Sequence, residues 1–215
     1  MSKEDVGESM KVEKFVTGII STNCYLVINE ETKQTVVIDP AACPKYLMGH
    51  IKSEGLDIQA ILLTHGHFDH IMGIDDFLKE FPVPVYVHEG DKETINDASL
   101  NQSSIYTSGY TFSKASYTKD GQILSFAGFD FKVIHTPGHT PGGVCYYVED
   151  EKVLFSGDTL FQNSVGRTDF VNSSTSDLVR GIKEKLYVLP DDVLVYPGHM
   201  GETTIGHEKT HNMFV

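Results

Sequence analysis

At 215 residues, with ordinary shares of apolar (40%) and charged (22%) side chains, the chain is long enough to build one domain around a sizeable core. Its 30 acidic and 17 basic residues leave a formal net charge of −13, which excludes a dominant basic face and disfavours nucleic acid as a partner. No apolar run is long enough to cross a bilayer and no signal-peptide pattern opens the chain. Cys24, Cys43 and Cys145 form no CxxC pair, so no disulfide framework or cysteine zinc site is expected. A cytoplasmic setting and a small-molecule partner follow, without nucleic acid or membrane.

Residues 1–10 are polar and read as a loose tail, leaving 11–215 as a single domain. Strands are expected at Val12–Val16, Cys24–Asn29 and Thr35–Asp39, then a helix over Pro44–Ser53 closed by Gly55. The apolar run Ala60–Leu63 reads as a buried strand. It leads into Thr64-His65-Gly66-His67-Phe68-Asp69-His70, after which Ile71, Ile74, Phe77 and Leu78 recur at helical spacing. The spacing predicts a helix from near Ile71 to about Glu80. Val83–Val87 reads as a strand, with Pro84 at an edge or a strand start. Between Asp97 and Tyr117 the pattern dissolves into Ser, Thr, Asn and Tyr, a stretch that reads equally as a lid or as a surface excursion. Strands follow at Gln122–Phe126, Phe129–Ile134, Gly143–Glu149 and Lys152–Ser156. Ser173–Leu186, with Leu178, Ile182 and Leu186 at spacing four, predicts an amphipathic helix. Val193–Tyr196 is a last strand and Thr203–Thr210 a short final helix. Strands followed by helix in both halves predict two sheets packed face to face with helices outside.

The HxHxDH cluster gathers four metal-capable side chains in six residues. His65 and His67 point to one side of an extended backbone, while Asp69 and His70 lie where the chain turns. Three later stretches repeat one grammar of apolar strand, tight glycine turn and metal-capable residue. They deliver His139 after Thr136-Pro137-Gly138, Asp158 after Ser156-Gly157, and His199 after Tyr196-Pro197-Gly198. His50, His88, His135, His207 and His211 lack that setting and read as surface or satisfied core groups. Five imidazoles and two carboxylates suit zinc first, with iron or manganese as alternatives to it, rather than calcium or magnesium. Seven ligands exceed one tetrahedral ion and fit two divalent ions sharing a bridging Asp158. Such a pair can hold a bridging hydroxide and polarise a carbonyl, with Asp69 and Asp158 as the catalytic carboxylates. Neither a GxSxG motif nor a reactive cysteine offers another nucleophile.

HxHxDH followed by His139, Asp158 and His199 resembles the metallo-β-lactamase superfamily, in particular its glyoxalase II (hydroxyacylglutathione hydrolase)-like branch. The resemblance runs from about Lys11 onward. It implies an α/β (α+β) fold, a four-layered αββα sandwich with the metals at one edge. It further implies that His65, His67 and His139 hold one ion, that Asp69, His70 and His199 hold the other, and that Asp158 bridges them. Asp39 matches an aspartate that is not a ligand there and supports the ligand turn from behind. Two departures set this chain apart from the long glyoxalase II enzymes. It ends at Val215, short of their extra helical domain, and Met200-Gly201 follows His199 where they place a glutathione-binding tyrosine. Both put a glutathione thioester in doubt. Gly166-Arg167-Thr168-Asp169-Phe170 and Gly201-Glu202-Thr203-Thr204 are similar to short bacterial members, and Arg167 is a candidate for binding a substrate carboxylate or phosphate.

The expected activity is a dinuclear metallohydrolase acting on a small thioester or related acyl compound. The alternative is a persulfide dioxygenase with one iron held by His65, His139 and Asp158. A β-lactamase ranks below these, because the commonest zinc subclass carries cysteine at the place of Asp158. A non-catalytic metal-binding protein would be expected to have lost ligands, and none is missing here.

Overall fold

A computed structural model describes residues 9–215, so most of the tail expected at 1–10 lies outside the described residues. The two it includes are not loose. Ser9 O accepts a hydrogen bond from Glu30 N (3.0 Å), and strand β1 begins at Met10 (Met10–Thr17). It pairs with β2 (Thr22–Asn29), followed by β3 (Gln34–Ile38), β4 (Asp57–Leu62), β5 (Val85–His88) and β6 (Ser116–Thr118) in one six-stranded sheet of that order. The first two pairings are antiparallel and the last three parallel. The second sheet is built from β7 (Ile123–Phe126), β8 (Phe129–His135), β9 (Val144–Val148), β10 (Val153–Gly157), β13 (Leu194–Pro197) and β14 (Thr203–Thr204). Its spatial order is 14-13-10-9-8-7, and a small ribbon of β11 (Leu160–Phe161) and β12 (Ser164–Val165) lies beside it.

Period-two alternation decides which way each strand faces. In β2, buried along its whole length, Tyr25 and Val27 join Val36, Ile38, Ala60 and Leu62 against Phe131, Val133, Tyr146 and Phe155 of the other sheet. Cys24, Leu26 and Ile28 point the opposite way. They meet Leu47 and Ile51 of α1 (Lys45–Ser53), Ile71 of α2 (Phe68–Ile71), and Ile74 and Phe77 of α3 (Ile74–Glu80). The outer face of the second sheet packs on Leu178 of α6 (Thr175–Gly181) and Ile205 of α7 (Ile205–His211). The layers therefore run helix, sheet, sheet, helix, the αββα sandwich the sequence implied. In the chain α4 (Lys92–Asn96) and α5 (Ser103–Tyr106) fall between β5 and β6, and Ile95 of α4 joins the core on the helix-covered face of the first sheet.

Two helices differ from expectation. The helix predicted from Ile71 is two pieces: α2 starts inside the metal motif at Phe68, and the chain breaks at Met72-Gly73, where Gly73 N donates to Pro40 O (2.7 Å). The helix predicted over Ser173–Leu186 is capped by the Ser174 hydroxyl and widens into a π turn over Ile182–Leu186. Side chains four apart drift by about 40° per step on an α-helix. The wider turn brings Leu178, Ile182 and Leu186 back onto one face, and all three are fully buried.

The stretch at Asp97–Tyr117 is neither a free lid nor an idle excursion. The Asn101 side chain and the Ser103 hydroxyl both donate to Tyr110 O, and Asn101 O accepts from Phe68 N. Tyr106 stacks on Phe68 (4.8 Å, 14°). The segment is a fixed wall beside the HxHxDH turn.

Candidate metal centre

The predicted ligands leave different strands at the same end of the sandwich. His65 and His67 follow β4, and Asp69 and His70 sit on α2. His139 follows β8, Asp158 follows β10 and His199 follows β13. The structure brings all seven together in three overlapping groups: His65, His67 and His139; His65, His70 and Asp158; and Asp69, His70 and His199. Within each group the ligand atoms lie within 4.8 Å of one another. Asp158 Oδ2 is 3.5 Å from His139 Nε2 and 3.6 Å from His199 Nε2, and its Oδ1 is 3.4 Å from His70 Nε2. It thus stands between the sets. The turn carrying His199 comes so close that a Cβ on Gly198 would run into Asp158 Oδ1 and His70 Cε1.

The outward-facing ring nitrogens fix the tautomers. The Thr64 hydroxyl donates to Asp39 Oδ2 (2.6 Å), so toward His65 Nδ1, 3.2 Å away, it acts as acceptor. Asp39 Oδ2 also faces His70 Nδ1 (2.9 Å), and Asp39 Oδ1 takes the Thr64 backbone N–H (2.8 Å). His139 Nδ1 donates to Arg167 O (2.8 Å). With Nδ1 engaged outward, His65, His70 and His139 turn Nε2 toward the centre. His67 presents Nδ1 instead, 2.9 Å from His139 Nε2. His65 Nε2, His70 Nε2 and Asp158 Oδ1 are buried and have no hydrogen-bond partner among the described residues. Orphaned buried polar atoms are costly and call for an explanation, and convergence on a cation supplies one. The donor set and its orphans fit a divalent-metal centre.

Electrostatics agree. Burial, with its neighbouring imidazoles, pushes His65 well below its ordinary value, and burial with His139 beside it takes His67 down to about 3. Both are therefore neutral, as ligands must be. Burial also opposes charge on His70, but Asp69, Asp39 and Asp158 outweigh it and hold its pKa well above the usual range. Asp69 resists burial through His70 and His199 and stays well below the usual carboxylate range, and Asp158 is lowered in the same way. The pocket is built for positive charge.

Some contributors carry no metal-ligand signature in the sequence. Asp91, fully buried at the start of α4, takes four donors: Gly66 N (2.7 Å) and the Thr140 hydroxyl (2.8 Å) on Oδ2, and Gly142 N (2.8 Å) and the Thr94 hydroxyl (3.2 Å) on Oδ1. It ties the HxH turn to the His139 turn. The Thr22 hydroxyl donates to Asp69 Oδ2 (2.9 Å). Asn23 Nδ2 donates to Pro197 O (2.9 Å) and Met200 O (3.1 Å), and Asn23 N to Gly198 O (2.8 Å), so the start of β2 grips the turn bearing His199. The cluster floors a cleft of about 310 Å³. Arg167 lines its mouth, but its guanidinium is engaged by Asp169 through two bonds (2.9 and 2.8 Å) and lies over Phe170 (4.7 Å). The five other histidines stay outside. His135 stacks on His88 (4.0 Å), His207 on His211, and His50 pairs with Glu13.

The sequence profile of the Metallo-beta-lactamase superfamily matches residues 17–199, which include every one of the seven clustered side chains. The chain belongs to the metallo-beta-lactamase superfamily. Among its relatives, a probable metallo-hydrolase YqgX of Bacillus subtilis is 38% identical over 208 residues, covering 96% of this chain and 98% of its own. The hydroxyacylglutathione hydrolase GloC of Haemophilus influenzae is 33% identical over 210 residues, with the same coverages. Among solved structures, the BLEG-1 B3 metallo-beta-lactamase superposes with a TM-score of 0.89 at 40% identity, covering 95% of this chain and 99% of its own. The di-iron-bound form of TTHA1623 gives 0.82 at 34%, covering 95% and 100%. Like its superfamily, this chain is a metallo-hydrolase fold with a His/Asp cluster suited to divalent metal. Among the described residues no helix is long and apolar enough to cross a membrane.

Proposed function

We propose that this superfamily member is a dinuclear metal-dependent hydrolase of small thioesters or related acyl compounds. The observation that carries the reading is the set of buried, partnerless ligand atoms on His65, His70 and Asp158 at the junction of three metal-capable groups. His65, His67 and His139 would hold one ion, Asp69, His70 and His199 the second, and Asp158 both. The di-iron form of a relative at 34% identity supports a pair of ions, and the donor set suits zinc, iron or manganese. When bound, such ions supply Lewis acidity and bring the pKa of water to about 7, so a nucleophile exists at neutral pH.

The protein's own part is positional. Asp39, through Thr64 and His70, sets the rings on the first-half turn, and the Arg167 carbonyl sets His139. The Thr22 hydroxyl occupies Asp69 Oδ2 and fixes that carboxylate beside His199. Phe170, edge-on to His67 and His139, keeps bulk water off one flank. A thiol leaving group, with a pKa of about 8.5, departs as thiolate without an elaborate proton donor. Free thiols at Cys24, Cys43 and Cys145 suit a reducing compartment, the cytoplasm.

The test is metal analysis of the purified protein coupled to a panel of thioesters, lactones and β-lactams, the last because BLEG-1 is a B3 enzyme. Two metals per chain with thioester turnover is the expected result. Inactivity on the whole panel with both metals bound rejects the reading, and oxygen uptake with a persulfide and one iron per chain replaces it with a dioxygenase. Asp158→Asn is expected to lower metal content and to cut kcat/KM by about a thousandfold or more, a loss in the range seen when catalytic groups are removed.

A further inference from the structure

The cleft above the cluster is walled by Ile20, Phe68, Tyr106, Phe161, Phe170 and Met200. Three of these, Ile20, Tyr106 and Met200, are large apolar groups left substantially exposed, Met200 by 59%. Their chain neighbours Ile19 and Ile105 are exposed as well. A contiguous exposed apolar rim around a concave site marks a binding surface for apolar matter.

Two further observations sharpen this. Among the described residues Arg167 is the sole lysine or arginine lining the cleft, and both arms of its fork are taken by Asp169. A substrate carboxylate would have to displace a bidentate partner in a protein already at −13. Met200 sits at φ 70, a left-handed conformation that glycine adopts without the strain a methionine bears. Its carbonyl is held there by Asn23. The chain thus tolerates backbone strain to keep a flexible apolar side chain at the mouth, where glycine would be more stable.

We infer that the substrate is recognised through an apolar, uncharged acyl chain lying along this rim, and that the thiol portion is not gripped by its charges. The inference rests on the cleft's being the reaction site of the proposed hydrolase. At about 310 Å³ the cleft lies at the small end of ligand pockets, which suits a short chain better than a charged tripeptide.

Two experiments on the metal-loaded full chain test it. In the first, N-acetylcysteamine thioesters from acetyl to octanoyl are compared with glutathione thioesters of the same acyl groups. In the uncharged series kcat/KM is expected to rise about two- to fourfold per added methylene until the cleft is filled. The glutathione series should gain nothing over it. In Met200→Gly and Tyr106→Ala the slope should flatten, while the thermal midpoint of Met200→Gly stays level or rises. In the second, calorimetry follows S-octyl-N-acetylcysteamine and S-octylglutathione, thioethers that cannot be hydrolysed. The uncharged ligand should bind at least as tightly.

A flat chain-length profile overturns the inference, as does a tenfold preference for glutathione ligands that disappears in Arg167→Gln, even if thioesters are turned over. Binding of the thioethers in the expected order with no turnover of any thioester removes the hydrolase reading and the acyl substrate with it, and leaves the rim as an apolar binding site only.

Discussion

Asp91 is a buried carboxylate with four hydrogen-bond donors and, among the described residues, no ion-pair partner. Asparagine in its place would offer one accepting oxygen and turn an N–H₂ toward two of those donors. Asp91→Asn is therefore expected to cost about 2–4 kcal/mol in urea unfolding and to weaken metal binding by about 10–100-fold, because the HxH and His139 turns lose their shared anchor. Gly198 makes the complementary case. A methyl there would meet Asp158 and His70, so Gly198→Ala should lower metal content while leaving the far-UV spectrum unchanged. Retention of two ions at full occupancy would contradict it. The seven clustered side chains were legible in the sequence because metal chemistry demands particular side chains at fixed spacing after apolar strands, and the structure brings those side chains together. Asp91 was not: its donors Gly66 and Gly142 lie 25 and 51 positions away, and a lone aspartate at a helix start carries no spacing signal.

Among the elements, strand β5 ends in His88, whose Nδ1 accepts from Gly90 N (3.2 Å) and whose ring lies against His135. Burial, with His135 next to it, pushes His88 down to about 4; Glu89 and Asp120 pull up and Lys185 adds to the depression. The folded state holds the ring neutral, so the unfolded chain takes its proton first. Stability from this source is full above about pH 6.5 and is lost as the pH falls from there toward 4. His88→Asn keeps the accepting group at this cap and removes the titration. With metal stripped from both proteins, the urea midpoint of the wild type should fall faster than that of the variant over that window. Parallel curves would refute the assignment. The longer strands were readable from apolar runs to within a few residues; the short β6, β11, β12 and β14 were not, and Thr203–Thr204, read as the start of the final helix, pair as β14 instead. The break at Gly73 was not, because it depends on contact with Pro40, more than thirty positions earlier. Nor was the π turn: spacing four announced an apolar stripe, and only packing against the second sheet decided how the backbone would deliver it.

At the scale of the whole molecule, the cluster draws four side chains from the first sheet's connections and three from the second's. Ions bound there would join the two layers and stabilise the folded state by mass action. At a thousandfold excess over the dissociation constant this amounts to about 4 kcal/mol, so chelation should lower the thermal midpoint by roughly 10 °C; an unchanged midpoint would deny the ions a bridging role. The αββα order was legible because both halves repeat strands then helix, whereas the way the halves lock at the site depends on single hydrogen bonds. Asn23 is one such lock, a residue of one layer clasping the His199 turn of the other. The reactive geometry consequently works as a vernier for the alignment of two slabs. A slip of about 1 Å between them can cost on the order of a hundredfold in rate long before either slab melts. Asn23→Ala, pressure or gentle warming should therefore silence turnover in a molecule that still looks intact to every spectroscopic probe of its backbone.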